Sequence, residues 1–250
     1  MGMKIRLHQF LQRAGAFPSR AAMVDAVKKG EVTVAGRVAH DIQFDFNPEK
    51  KPVEWKGKKL EMQQQSLYLM LDKPKGYLSS RLSVTDIELG KRSVFELIDL
   101  PEELKNSLFC AGRLDEDSEG MLLLTNDGKL GKKLTDPSSG ISKTYHAVLM
   151  NDLSPDDVKR IKAGLEITLE ENGVESKHTA RPTAIESEGR VARITLTEGK
   201  KREVRRIFEA VGNRVQLLQR IAIGNLTLDE LKIRRGEYAS LTARQLEKML

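Results

Sequence analysis

The 250-residue chain is long enough for one large domain or for a small one joined to a larger one. With 39% apolar and 31% charged residues it suits a globular core; no apolar run approaches the roughly 20 residues of a membrane span, and the start MGMKIRLHQF lacks a signal-peptide core, so a cytoplasmic protein without membrane contact is expected. One cysteine, Cys110, excludes an internal disulfide framework, and the net charge of +6 is concentrated at the front: residues 1–62 hold 12 Lys and Arg against 7 Asp and Glu, the other 188 hold 30 against 29.

In chain order, Leu7, Phe10 and Leu11 share one face of a short helix, and Ser19 caps a second helix carrying Ala22, Met23, Ala26 and Val27, stopped at Gly30. Val32 and Val34 alternate with polar residues, Ala35-Gly36 turns the chain and Val38 continues the hairpin. Arg6, Arg13, Arg20, Lys28, Lys29 and Arg37 are spread through this unit. They form either ordinary solvated faces or a phosphate-gripping surface. Gln63-Gln64-Gln65-Ser66 reads as a linker, giving domains over 1–62 and 67–250 with residues 63–66 between them.

Beyond the linker, LYLMLDKPKGYLSS starts as a buried strand and breaks at Pro74 and Gly76. Leu130 and Leu134 mark a short helix, SKTYHAVLM a strand, and LSPDDVKRIKAGLEI a helix with Ser154 as cap and Pro155 in its first turn. RVARITLTEGKKREVRRIFEAVGNRVQLLQRIAIG reads as strand, glycine turn, basic helix ended at Gly212, and strand; Thr242 and Gln245 open the last helix as a capping box. Strands without βαβ regularity predict an α+β fold with a mostly antiparallel mixed sheet flanked by helices.

The stretch GRLDEDSEGMLLLTNDG, residues 112–128, sets four carboxylates directly before an apolar run. As a calcium loop, Asp115, Asp117, Glu119 and Gly120 fill the first, third, fifth and sixth positions, but the twelfth is Asn126 where a bidentate Glu is required. His8, His40, His146 and His178 show no ligand spacing, and no Walker loop occurs, so neither a metal nor a cofactor is expected.

Two resemblances organise these observations. Residues 4–50, through SRAAMVDAVKKGEVTVAGRV, resemble the S-four RNA-binding domain. GRLDEDSEGMLLLTNDG resembles the signature of the Rsu/Rlu pseudouridine synthases, and LDKPKGYLSS, SKTYHAVL and EGKKREVRRIFEAVGNRV resemble three further segments of that family, in its order, over residues 68–236. One departure is Glu203, where the family pattern leads one to expect Gln.

The resemblance implies an isomerase without cofactor or metal, acting on ribosomal RNA or an assembling ribosomal particle, and a monomer is expected. Breaking the bond between ribose and uracil builds positive charge on the anomeric carbon, which one ionised carboxylate can stabilise or capture. The family's roles fall on Asp115 as that carboxylate, Tyr145 stacking on the flipped uracil, and Arg205 as the guanidinium that holds Asp115 ionised. Val204 would wall the pocket, Arg113 would hold phosphate or seat the flipped nucleotide, and Lys73, Arg202 and Arg206 would meet RNA together with Arg6, Arg20, Lys28, Lys29 and Arg37. Glu116, Asp117 and Glu119 read as solvated loop residues. Rival readings are a synthase acting on tRNA and a non-catalytic ribosome-assembly factor on the same scaffold.

Overall fold

The computed structural model describes residues 4–171 and 173–250. At the front, α1 (Leu7–Ala14) and α2 (Arg20–Lys28) follow a two-residue strand, β1 (Ile5–Arg6), which pairs with β4 (Asp45–Phe46). The Ser19 hydroxyl caps α2 by accepting from the Ala22 N–H at 3.2 Å. An antiparallel sheet then runs in the order β3 (Arg37–Val38), β2 (Val32–Val34), β5 (Val53–Trp55), β6 (Lys58–Leu60). Ala35 and Gly36, both at positive φ (51° and 75°), make the tight turn from β2 to β3. Leu7, Phe10 and Leu11 are buried against Met23, Val27, Phe46 and Val53, a core of their own. This unit docks through α1 onto α4 (Glu102–Ser107): Gln12 Nε2 donates to the Asn106 carbonyl at 2.8 Å, and a Cβ at Gly15 would lie 1.9 Å from the Glu103 carbonyl oxygen.

The larger part is built on a sheet ordered β15 (Ala184–Glu188), β16 (Val191–Leu196), β12 (Lys143–Leu149), β17 (Val215–Ile223), β11 (Glu119–Thr125), β7 (Tyr68–Lys73), β19 (Tyr238–Ser240). Its pairings are antiparallel except β11 with β17. Short edges add β10 (Phe109–Cys110) to β11 and β18 (Leu226–Thr227) to β17, while β8 (Tyr77–Leu78) with β9 (Arg92–Ser93), and the hairpin β13 (Leu165–Glu171) with β14 (Val174–Ala180), stand apart.

The apolar run at 121–124 follows from this position. Leu122 and Leu124 face one layer with Leu69 and Leu71; Met121 and Leu123 face the other with Met70. A strand buried on both faces carries no polar alternation. On the first face lie α6 (Pro155–Ala163) through Ile161 and α7 (Glu203–Glu209) through Ile207 and Phe208; on the second, α5 (Gly128–Thr135), α8 (Leu228–Leu231) and α9 (Ala243–Met249), with a short α3 (Val84–Glu88) peripheral to both. The caps read from the sequence at Ser154 and Thr242 are formed.

Candidate active site

The acidic turn is held from beneath by two cations. Lys73, at the end of β7 and 0% exposed, donates from Nζ to the carbonyls of Ser118 (2.7 Å), Asp115 (3.1 Å) and Pro74 (3.1 Å). Burial pushes its ammonium down to about 8, against the pull of the nearby carboxylates. Arg205 on α7 donates from Nη1 to the Val215 carbonyl and from Nη2 to the Asp117 carbonyl, both at 3.1 Å, and its Nη2 lies 3.1 Å from the Asp117 carboxylate. The turn closes with the Ser118 N–H donating to the Asp115 carbonyl at 3.0 Å. Gly120 then enters β11 at φ 98° with its α-carbon against the Arg220 backbone; a Cβ there would lie 2.3 Å from the Arg220 carbonyl oxygen. Both its φ and this approach require glycine.

So held, Asp115 projects half-exposed into a cavity of about 400 Å³ that Arg113, Tyr145, Val204, Lys143 and Arg220 also line. The volume suits a single nucleoside. Tyr145 sits 9% exposed on β12, and Val204 is buried on α7. Arg202, the residue before α7, is at φ 56° and brings Nη1 to 3.4 Å from Asp117 and 3.8 Å from Asp115. Cys110 also lines the cavity, but burial pushes its thiol up to about 12, so it offers no thiolate near neutral pH.

The rim holds two facing carboxylates. Glu203, 3% exposed, accepts from the Lys200 N–H at 2.9 Å and faces Glu198, with His178 Nε2 3.1 Å from Glu198 and 3.9 Å from Glu203. Burial first, then the facing carboxylate, push Glu203 up to about 8, against the pull of that N–H. These causes favour the protonated form of Glu203, which could donate to Glu198 as the amide of a Gln would. These three residues are also the one place among the described residues where three metal-ligating atoms converge, within 4.8 Å of one another.

Three sequence expectations need correction. Arg205 pairs with Asp117 and not with Asp115, and it does not line the cavity. Asp117 is accordingly no idle loop carboxylate; Glu116 pairs with Lys91 at 2.8 Å, and Glu119, 7% exposed, pairs with Arg235 at 3.1 Å. Lys73 is sealed beneath the turn, where no RNA could reach it. Arg206 lies part-exposed on α7 outside the cavity lining, on a side from which RNA can be met, and donates to the Thr168 carbonyl on β13. Missed altogether were Lys143 and Arg220: Arg220 lies 99 residues from Met121, whose carbonyl it contacts, and no local motif couples them. The one available signal was a cation in the inward register of an alternating strand, QLLQRIAI.

On the front unit, Arg6, Arg20, Lys28, Lys29 and Arg37 are all exposed, Lys29 pairing with Asp25 at 2.7 Å. Arg13 instead donates to the Gln63 carbonyl at 2.9 Å, tying α1 to the linker stretch. A second hollow beside β3 is lined by Arg37, His40 and Lys51 together with the 42% exposed Phe44.

A strand-rich sheet presenting one cavity with a carboxylate, an aromatic ring and several cations is the frame of an enzyme that receives a polyanionic, base-bearing substrate. The RNA pseudouridylate synthase family matches residues 67–210, and the chain belongs to that family, whose members are isomerases. It is 35% identical to the RNA pseudouridine synthase YtzG of Bacillus subtilis over 97% of each chain, and 34% identical to ribosomal small subunit pseudouridine synthase A of Vibrio vulnificus over 98% of this chain and 99% of that one. A crystal structure of a pseudouridylate synthase superimposes with a TM-score of 0.67 at 27% identity, covering 98% of this chain and all of the other.

Proposed function

We propose that this enzyme isomerises a uridine in RNA of the small ribosomal subunit, with Asp115 as its single catalytic carboxylate and no cofactor. The observation that carries the reading is that Asp115 and Tyr145, 30 positions apart in sequence, line one nucleoside-sized cavity. The target nucleotide leaves its stack and enters beside Arg113, with its base against Tyr145 and Val204. Asp115 faces the anomeric carbon and stabilises or captures its positive charge while the bond to N1 breaks. Arg205 acts through the turn: by holding the Asp117 backbone and carboxylate it fixes where Asp115 points. It is a positioning residue, as is Lys73 below it.

Residues 1–62 act as an S-four-like RNA-binding domain, residues 63–66 as a linker, and residues 67–250 as the catalytic domain. Exposed Arg6, Arg20, Lys28, Lys29 and Arg37 support the first assignment, and Phe44 between Arg37 and Lys51 adds a surface on which a base could stack. The likeness to relatives named for the small ribosomal subunit favours ribosomal RNA over tRNA. Mapping pseudouridine in both RNAs from cells with and without the gene tests this. A site lost from small-subunit RNA is expected; loss confined to tRNA would overturn the substrate, and no lost site would overturn the activity.

A further inference from the structure

Arg220 is a cation without a counter-ion among the described residues, on the inward register of a strand. Along β17, Leu218, Arg220 and Ala222 point inward in alternation, and Arg220 is 5% exposed. Its Nε donates to the Met121 carbonyl at 2.7 Å, while Nη2 is buried without a partner. No carboxylate forms an ion pair with it among the described residues, whereas the equally buried Arg205, whose Nε is likewise unbonded, has its charge met by Asp117. A buried guanidinium without a counter-ion is costly, and because Arg220 lines the cavity its charge partner is to be sought in what fills it. Arg220 stands opposite Tyr145 in the β12–β17 register, and Lys143, two residues before Tyr145, lines the same wall. Burial and the Arg220 charge both lower the Lys143 pKa, the mutual repulsion of two cations on one cavity wall that an anionic occupant would relieve.

We propose that Arg220, with Lys143 beside it, forms the subsite that receives the uracil carbonyl oxygens and stabilises the uracil anion released during isomerisation. This rests on the reading of the cavity as the uridine site. When the bond between C1′ and N1 breaks, its electron pair leaves with N1 and the charge spreads onto O2 and O4. An N–H aimed at those oxygens strengthens as the charge develops. The base then turns, C5 attacks C1′, the C5 proton is lost and N1 gains one, so no further reactant is required. The subsite would hold the base while it turns, because a spread anion between two cations has no single preferred orientation.

The test compares wild type, Arg220→Gln, Arg220→Ala and Arg220→Lys on bulk RNA from cells lacking the gene, in single-turnover pseudouridine formation and in RNA binding. Arg220→Gln should slow turnover about 10²- to 10³-fold, as for loss of one oxyanion donor, with RNA affinity within about threefold. Arg220→Lys, which keeps the charge and guards against a folding defect, should retain an intermediate rate. Guanidinium ion should restore part of the rate of Arg220→Ala, and urea, of the same shape but neutral, should not. Wild-type turnover by Arg220→Gln would overturn the proposal. Equal losses of rate and affinity, marking a phosphate contact, would overturn it too, as would rescue by urea. Loss of function on Asp115→Asn is read separately and bears on the cavity assignment alone.

Discussion

The front unit and the catalytic cavity are both rich in Lys and Arg, yet the fold treats these side chains in opposite ways. On β1, α2 and β3 the cations stand in water, where a single charge is screened within about 8 to 10 Å. Around the cavity, Lys73, Arg205 and Arg220 are each at most 5% exposed and each bonds backbone carbonyls. Exposed cations add affinity that salt can remove; buried ones fix geometry and act at short range in low dielectric. The first unit can exchange its charged residues without losing shape, and the second cannot.

Asp115→Asn should break the comparison most sharply. It keeps the side chain's shape but removes the charge that faces the ribose, so tritium release from carbon-5-labelled uridine should fall by roughly 10³-fold or more while RNA affinity holds. A decrease smaller than about tenfold would remove Asp115 from the chemistry. Arg205→Met comes next. It strips the turn of its ion pair and the Asp117 carbonyl bond, and removes the bond to Val215 on β17; since Asp117 is 40% exposed the stability cost is about 1–3 kcal/mol, readable by denaturant unfolding. Asp117→Asn should lower turnover in the same direction but less, because the backbone bond to Arg205 survives; no effect of either substitution on turnover would sever the turn from catalysis.

Neutralising Arg20, Lys28, Lys29 and Arg37 together to Gln should leave single-turnover chemistry intact and flatten the dependence of RNA binding on salt, by about 0.7–0.9 in logarithmic slope for each phosphate no longer neutralised. An unchanged slope would make the front surface merely solvated. Glu203→Gln should have the smallest effect, and only as a function of pH. Because the folded pKa of about 8 lies above the ordinary carboxyl value of 4.5, the folded state binds the extra proton. Its contribution to stability is complete below pH 4.5 and lost as pH rises through 8. The variant's thermal midpoint should therefore fall less than wild type's between about pH 5 and 8.5; parallel curves would show that Glu203 is ionised throughout.

The sequence by itself determined most of the scaffold. Ser19, Ser154 and the Thr242–Gln245 box fixed helix starts through bonds spanning three residues, and the MLLL run marked a strand, which the sheet then buries on both faces. Motif order likewise pointed to Asp115, Tyr145 and Val204 as pocket residues, and all three line the cavity. What it could not supply were partnerships between segments far apart in the chain. Whether Arg205 meets Asp115 or Asp117 depends on a turn whose direction is set by Lys73, 44 positions before Asp117, so helix and motif alone pointed to Asp115, the wrong carboxylate. Glu119 looked like its solvated neighbours until the chain returned with Arg235 at its side. Arg220 reaches the cavity only because β17 lies parallel to β11 and opposite Tyr145. Caps and periodicities are local and legible in a one-dimensional string. Charge partners are chosen by where the sheet brings strands together, and only the tertiary structure decided those.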